Sequence, residues 1–215
     1  MINQKHLFSP LAIAAAFAVL TFAIPAVEWL LGRFAPLAPY SDLISNLIIL
    51  LIAGLWCWKA KLFSLLPSTS FWKVFCALGM LLALGLLIIN IRNAPVAKIT
   101  GQARSPFEVL SVIIFSPIAE ELIFRGIIWS ILGRLSENRR WNIATVLVGS
   151  SLLFGVEHLG YWAQSYGSLP AEAFIHASSM VLAGICFGVF RQTSHSLAVP
   201  AVVHILANGL ILLTQ

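Results

Sequence analysis

The sequence predicts an all-α fold, a polytopic transmembrane helix bundle with about seven membrane helices. Three observations predict it. Of the 215 residues, 60% are hydrophobic and only 10% are charged, against roughly 45–50% and about 25% in soluble domains. Mean hydropathy is +0.94, more apolar surface than a soluble fold of this size can bury. The apolar residues also come in runs near the length of about 20 that crosses a bilayer as a helix, without the alternation of barrel strands.

The runs fall near 9–31, 41–58, 71–91, 107–133, 141–159, 171–191 and 195–214. The first carries Lys5 and His6 on its flank, as a signal peptide would. Its apolar part exceeds the usual span of roughly 7–15 residues and no small-x-small cleavage site follows, so a retained anchor is expected. Turn formers and charges separate the rest: Gly32-Arg33 with Pro36 and Pro39, Lys59 to Lys61 with Pro67, Arg92 to Arg104, and Arg134 to Arg140. A Gly- and aromatic-rich stretch from Gly160 to Pro170, then Arg191 to His195, closes the list of breaks. Two regions are expected, residues 1–106 as membrane helices without recognised motifs and 107–215 as the functional bundle.

Net charge is +5 with a pI near 9.5, but the basic residues stand singly or in pairs, leaving no stripe to follow a phosphate backbone. Nucleic acid is therefore not an expected partner. The loop charges instead set orientation. With the N-terminus inside, Lys59, Lys61, Lys73, Arg134, Arg139, Arg140 and Arg191 are cytoplasmic, while Arg92, Lys98 and Arg104 disagree with a strict seven-helix count. Cys57, Cys76 and Cys186 lie in apolar segments without ligand spacing and read as small buried hydrophobes.

Ionisable residues inside hydrocarbon are costly and point to function. In SPIAEELIFRG, Glu120 and Glu121 are helix neighbours about 100° apart, which argues against their serving one spot. Glu121 and Arg125 are four apart and suit an ion pair, leaving Glu120 without a local partner just after Pro117, which should loosen the helix. In LLFGVEHLG, Phe154 can pack one turn from His158. In VVHILANG, His204 and Asn208 share a face. His176 is expected to be a hydrogen-bonded bundle residue. Together these segments supply an acid, two imidazoles and an amide, enough to deprotonate a water and to donate hydrogen bonds to a developing oxyanion.

The segments EELIFR (Glu120 to Arg125), FGVEH (Phe154 to His158) and HILAN (His204 to Asn208) resemble the EExxxR, FxxxH and HxxxN motifs of the CPBP family. This family comprises CAAX proteases and bacteriocin-processing enzymes, glutamic-type intramembrane endopeptidases related to the Ras-converting enzyme. The resemblance spans roughly 107–214. It implies that Glu120 and His158 activate water and that His204 and Asn208 form the oxyanion hole, with Glu121, Arg125 and Phe154 in support. Glu157 departs from the apolar or small residue expected before His158, and is read as facing outer water rather than tuning the imidazole.

Glu120, His158 and His204 also contain the donors of a two-histidine, one-carboxylate zinc site. Against it, two histidines four apart on one helix are missing and Asn208 is a better donor than ligand, so metal-free chemistry with no cofactor is expected. The expected partners are the bilayer and a membrane-anchored or exported protein substrate, cut near a C-terminal sorting segment from the non-cytoplasmic face. The expected location is a bacterial cytoplasmic (inner) membrane. The competing readings are a non-catalytic scaffold or immunity protein, a proton-coupled transporter, and a serine protease using Ser150 or Ser151.

Overall fold

A computed structural model describes residues 30, 33, 40–59, 106–135 and 139–213. The runs expected at 9–31 and 71–91 lie outside these residues apart from Leu30, as does the discordant basic stretch of 92–104. The described residues are all-helical, with no strand among them. Helix α1 spans Ser41–Lys59, α2 runs over 106–135, α3 spans Arg139–Tyr166, α4 Ala171–Ser194 and α5 Ala198–Leu213. Among the described residues, two stretches are long and apolar enough to cross a membrane, Ile143–Gly160 in α3 and Ala171–Ser194, while Leu43–Trp58 and Ala198–Ile211 are shorter apolar helices.

The outside of the bundle is oily. Val148, Leu152 and Val156 on α3 expose a ladder at four-residue spacing, and Val202, Leu206 and Leu210 do the same on α5. In water such stripes would be a liability, whereas against lipid tails they cost nothing. Because lipid provides no hydrophobic push between helices, contact depends on close fit. Gly184 and Gly188 form a small-xxx-small pair on α4. A methyl group at Gly184 would lie 3.1 Å from the Ser151 Cα. The α3–α4 pairing is accordingly the most extensive among the described helices.

Helix α2 is the central element, touching α1, α3 and α5. It alternates between two registers: α-helix at Pro106–Leu110, π-helix at Ser111–Phe115, α-helix at Ser116–Glu121, π-helix at Leu122–Ile128, and α-helix at Trp129–Leu135. The loosening expected before Glu120 is thus a π-turn ending where Pro117 withholds its N–H. Every residue of the second π segment is buried, as befits a helix enclosed on all sides.

Each return from i→i−5 to i→i−4 pairing skips a carbonyl, which must then find another donor in a dry interior. Both returns are repaired from other helices. The Trp129 N–H reaches back to the Phe124 carbonyl, stepping past Arg125, whose carbonyl accepts from Arg191 Nε at 3.4 Å. The Ser116 N–H reaches the Ser111 carbonyl, and Pro117 offers nothing to Val112. The Asn208 Nδ2 amide supplies that bond at 2.9 Å.

The break expected at Gly160 is not one. Helix α3 continues to Tyr166, and the turn is confined to Gly167–Pro170, where Gly167 takes a positive φ of 65°. A lone glycine only weakens a helix, and Trp162 beyond it is buried in the bundle. His158 therefore lies eight residues before the end of α3, about 12 Å along the axis.

Candidate active site

Arg125 and Glu121 anchor the site. The guanidinium and the carboxylate are 0% and 1% exposed and lie 3.3 Å apart, one helical turn from each other as their spacing requires. Arg125 Nη2 donates to the Gly184 carbonyl at 2.9 Å; the absence of a side chain at Gly184 lets the group approach. The guanidinium also sits over the rings of Phe154 and Phe187, 4.7 and 5.4 Å from their centroids, a placement favoured by the ring quadrupole.

His204 enters from α5. Its ring stacks on Phe187 at 4.5 Å and meets the edge of Phe154 at 5.9 Å. Its Nδ1 lies 3.2 Å from Glu121 Oε1 and its Nε2 lies 3.7 Å from Glu120 Oε2. The two adjacent carboxylates do address one side chain, contrary to expectation. Directions about 100° apart exclude a shared point, but an imidazole presents a nitrogen on each of two edges, and each carboxylate takes one. Glu120 also has the local partner it was expected to lack: Ser116 Oγ, four residues before it, donates to Oε1 at 2.6 Å. That leaves Oε2 buried with no hydrogen-bond donor among the described residues.

His158 approaches from α3, its ring 4.7 Å from that of Phe154 in an edge-to-face pair, and within electrostatic reach of Glu120. Phe154 therefore touches the imidazoles of His158 and His204 and the guanidinium of Arg125, and fixes all three in one layer. His158 Nδ1 lies 2.9 Å from the Phe154 carbonyl and 3.1 Å from Glu157 Oε2. The expectation that Glu157 simply faces water is corrected: a carboxylate chain is long enough to turn back onto the neighbouring ring while staying partly exposed. His176 on α4 lies 5.6 Å from the His158 ring and 6.1 Å from Trp162.

Glu120, Glu121, Arg125, Phe154, His158 and His204 thus converge. Asn208, one turn beyond His204, has one N–H on the Val112 carbonyl; a primary amide carries two. Among the described residues, no three His, Cys, Asp or Glu side chains cluster in the manner of a metal site. Ser150 and Ser151 are buried and both donate to the Leu147 carbonyl, an ordinary helix back-bond. The four-residue spacing that pairs Glu121 with Arg125 also pairs Ser116 with Glu120, a signal present in the sequence. Phe187 and Gly184 carried no local signal.

A model of the type II CAAX prenyl endopeptidase Rce1-like family matches residues 102–210, about half of the chain and all of the site. The chain belongs to this family. Comparison with curated proteins and with solved structures gave no match. The Rce1-like family is one of membrane-embedded proteases, which agrees with the oily exterior and with the polar cluster enclosed by it. The matched segment takes in all three quoted motifs, from the glutamates on α2 through His158 to Asn208 on α5.

Proposed function

We propose that the chain is a glutamic-type intramembrane endopeptidase that hydrolyses a peptide bond of a membrane-anchored or exported protein, near its C-terminal sorting segment. The observation that carries this reading is Glu120. Ser116 holds one carboxylate oxygen, and the other is buried, unpartnered among the described residues and turned toward His204.

In this reading Glu120 Oε2 and His158 hold a water between them and take its proton as the water oxygen bonds to the substrate carbonyl carbon. The carbonyl oxygen gains the electron pair and becomes an oxyanion. His204 and the second N–H of Asn208 donate to it. For His204 to donate from Nε2 while Nδ1–H binds Glu121, both ring nitrogens must carry protons, and the carboxylates on either side offset that charge. Collapse of the tetrahedral centre breaks the C–N bond, and the proton held by the Glu120–His158 pair goes to the leaving amine. Arg125 and Glu121 keep His204 in place and do not touch substrate.

The test is cleavage of a membrane-anchored candidate substrate by wild type, Glu120→Gln and His158→Ala at matched membrane levels. Each substitution is expected to reduce kcat by at least 10²-fold, the lower end of general acid–base contributions. Activity is expected to survive stringent chelation. Cleavage that persists in Glu120→Gln sinks the mechanism, and stoichiometric zinc with loss of activity on its removal would replace it with metal-assisted hydrolysis.

A further inference from the structure

Among the described residues, Glu157 is the one carboxylate at the site that the mechanism above leaves unused. It is also the departure from the family motif noted in the sequence. Its Oε2 lies 3.1 Å from His158 Nδ1, with the side chain 35% exposed. The Phe154 carbonyl lies 2.9 Å from the same nitrogen. Both neighbours of Nδ1 are acceptors, so Nδ1 must be the protonated nitrogen and shares its hydrogen between them. The lone pair of neutral His158 is then on Nε2, across the ring from Glu157. The other titratable groups around the ring are Glu120 from α2 and His176 from α4.

We propose that Glu157 is a positioning residue, which grips His158 through Nδ1 and so presents Nε2 to the water shared with Glu120. The Phe154 carbonyl alone would select the tautomer. The carboxylate adds a negative charge beside the ring, which stabilises the imidazolium formed when His158 takes a proton, and a second hold that prevents ring rotation. An acid that orients an imidazole base in this way recurs in unrelated hydrolases, and here it comes from the residue next to the histidine on the same helix. The proposal rests on the protease reading for its catalytic half and on the geometry alone for its structural half.

Purified full-length protein in detergent, as wild type, Glu157→Gln and Glu157→Asp, tests both halves. Glu157→Gln is expected to lower kcat about tenfold or more, in the range typical of residues that orient a reactive ligand, with KM within about twofold and with recovery in Glu157→Asp. An unchanged kcat, or a raised KM with kcat intact, overturns the proposal; the second result would assign Glu157 to substrate contact. Independently of cleavage, 15N-histidine NMR of wild type should show an Nδ1-protonated His158 with a strongly deshielded Nδ1 proton that moves upfield in Glu157→Gln. No such movement also overturns it. A chain that cleaves nothing yet shows the movement leaves the Glu157–His158 contact standing and removes the protease reading instead.

Discussion

Replacing Arg125 by methionine tests whether the buried ion pair holds the site together. Both charges are enclosed, at 0% and 1% exposure, and α2, α3 and α4 all contribute to the guanidinium's surroundings. Methionine fills similar volume but leaves Glu121 facing only His204. Breaking one partner of a buried pair costs about 3–5 kcal/mol, whereas replacing both partners by neutral groups is often close to neutral. For a chain of this size, about 1 kcal/mol shifts Tm by roughly 2–4 °C, so Arg125→Met should lower it by roughly 6–20 °C in detergent. The double variant Arg125→Met with Glu121→Gln should recover most of that loss, because no orphaned charge remains. Thermal unfolding of the wild type, both single variants and the double variant closes the cycle. Losses that simply add, with no recovery in the double variant, would refute the claim that these charges compensate one another.

Two further outcomes follow from the packing and the register breaks. Gly184→Ala places a methyl group 3.1 Å from the Ser151 Cα and 3.3 Å from Arg125 Nη2; overpacking of this kind costs about 1–3 kcal/mol, and thermal unfolding should register it, while Gly209→Ala, where a Cβ meets nothing within 4 Å, should raise stability by up to about 1 kcal/mol. Asn208→Ala should lower both activity and stability: kcat by about 10²–10³-fold if the amide serves the oxyanion, and stability by about 1–3 kcal/mol because the Val112 carbonyl loses its donor. A stability loss with kcat intact would confine Asn208 to the helix repair.

Contacts between residues one helical turn apart were legible in the sequence, because spacing alone determines them. The Glu121–Arg125 pair and the Phe154–His158 contact are of this kind, and Ser116–Glu120 should have been read with them. The family motifs carried the site across helices, where spacing is silent: Glu121 and His204 are 83 positions apart, and nothing local says that one imidazole will be shared by two neighbouring glutamates. The Glu157–His158 contact is between chain neighbours, where helix spacing is silent and the reach of the carboxylate decides. Pro117 signalled the first π segment of α2, but the second escaped: hydrophobic period identifies a face, and a segment buried on every side has none to show. The end of α3 was placed too early because Gly160 was taken as a stop, when Trp162 packing beyond it outweighs a local cost of about 1 kcal/mol.

Arg125 also constrains how the chain enters the bilayer during synthesis. Its backbone partner, Gly184, is 59 positions downstream, so α2 leaves the ribosome long before α4 exists to receive the guanidinium. An arginine without its partners at the centre of a bilayer is costly by about 2.5–3.5 kcal/mol, and until α4 is made Glu121 is the neighbour on α2 that offsets the charge. The guanidinium's contacts with Gly184 and Phe187 therefore form only after α4 has been made, so the site closes late in synthesis.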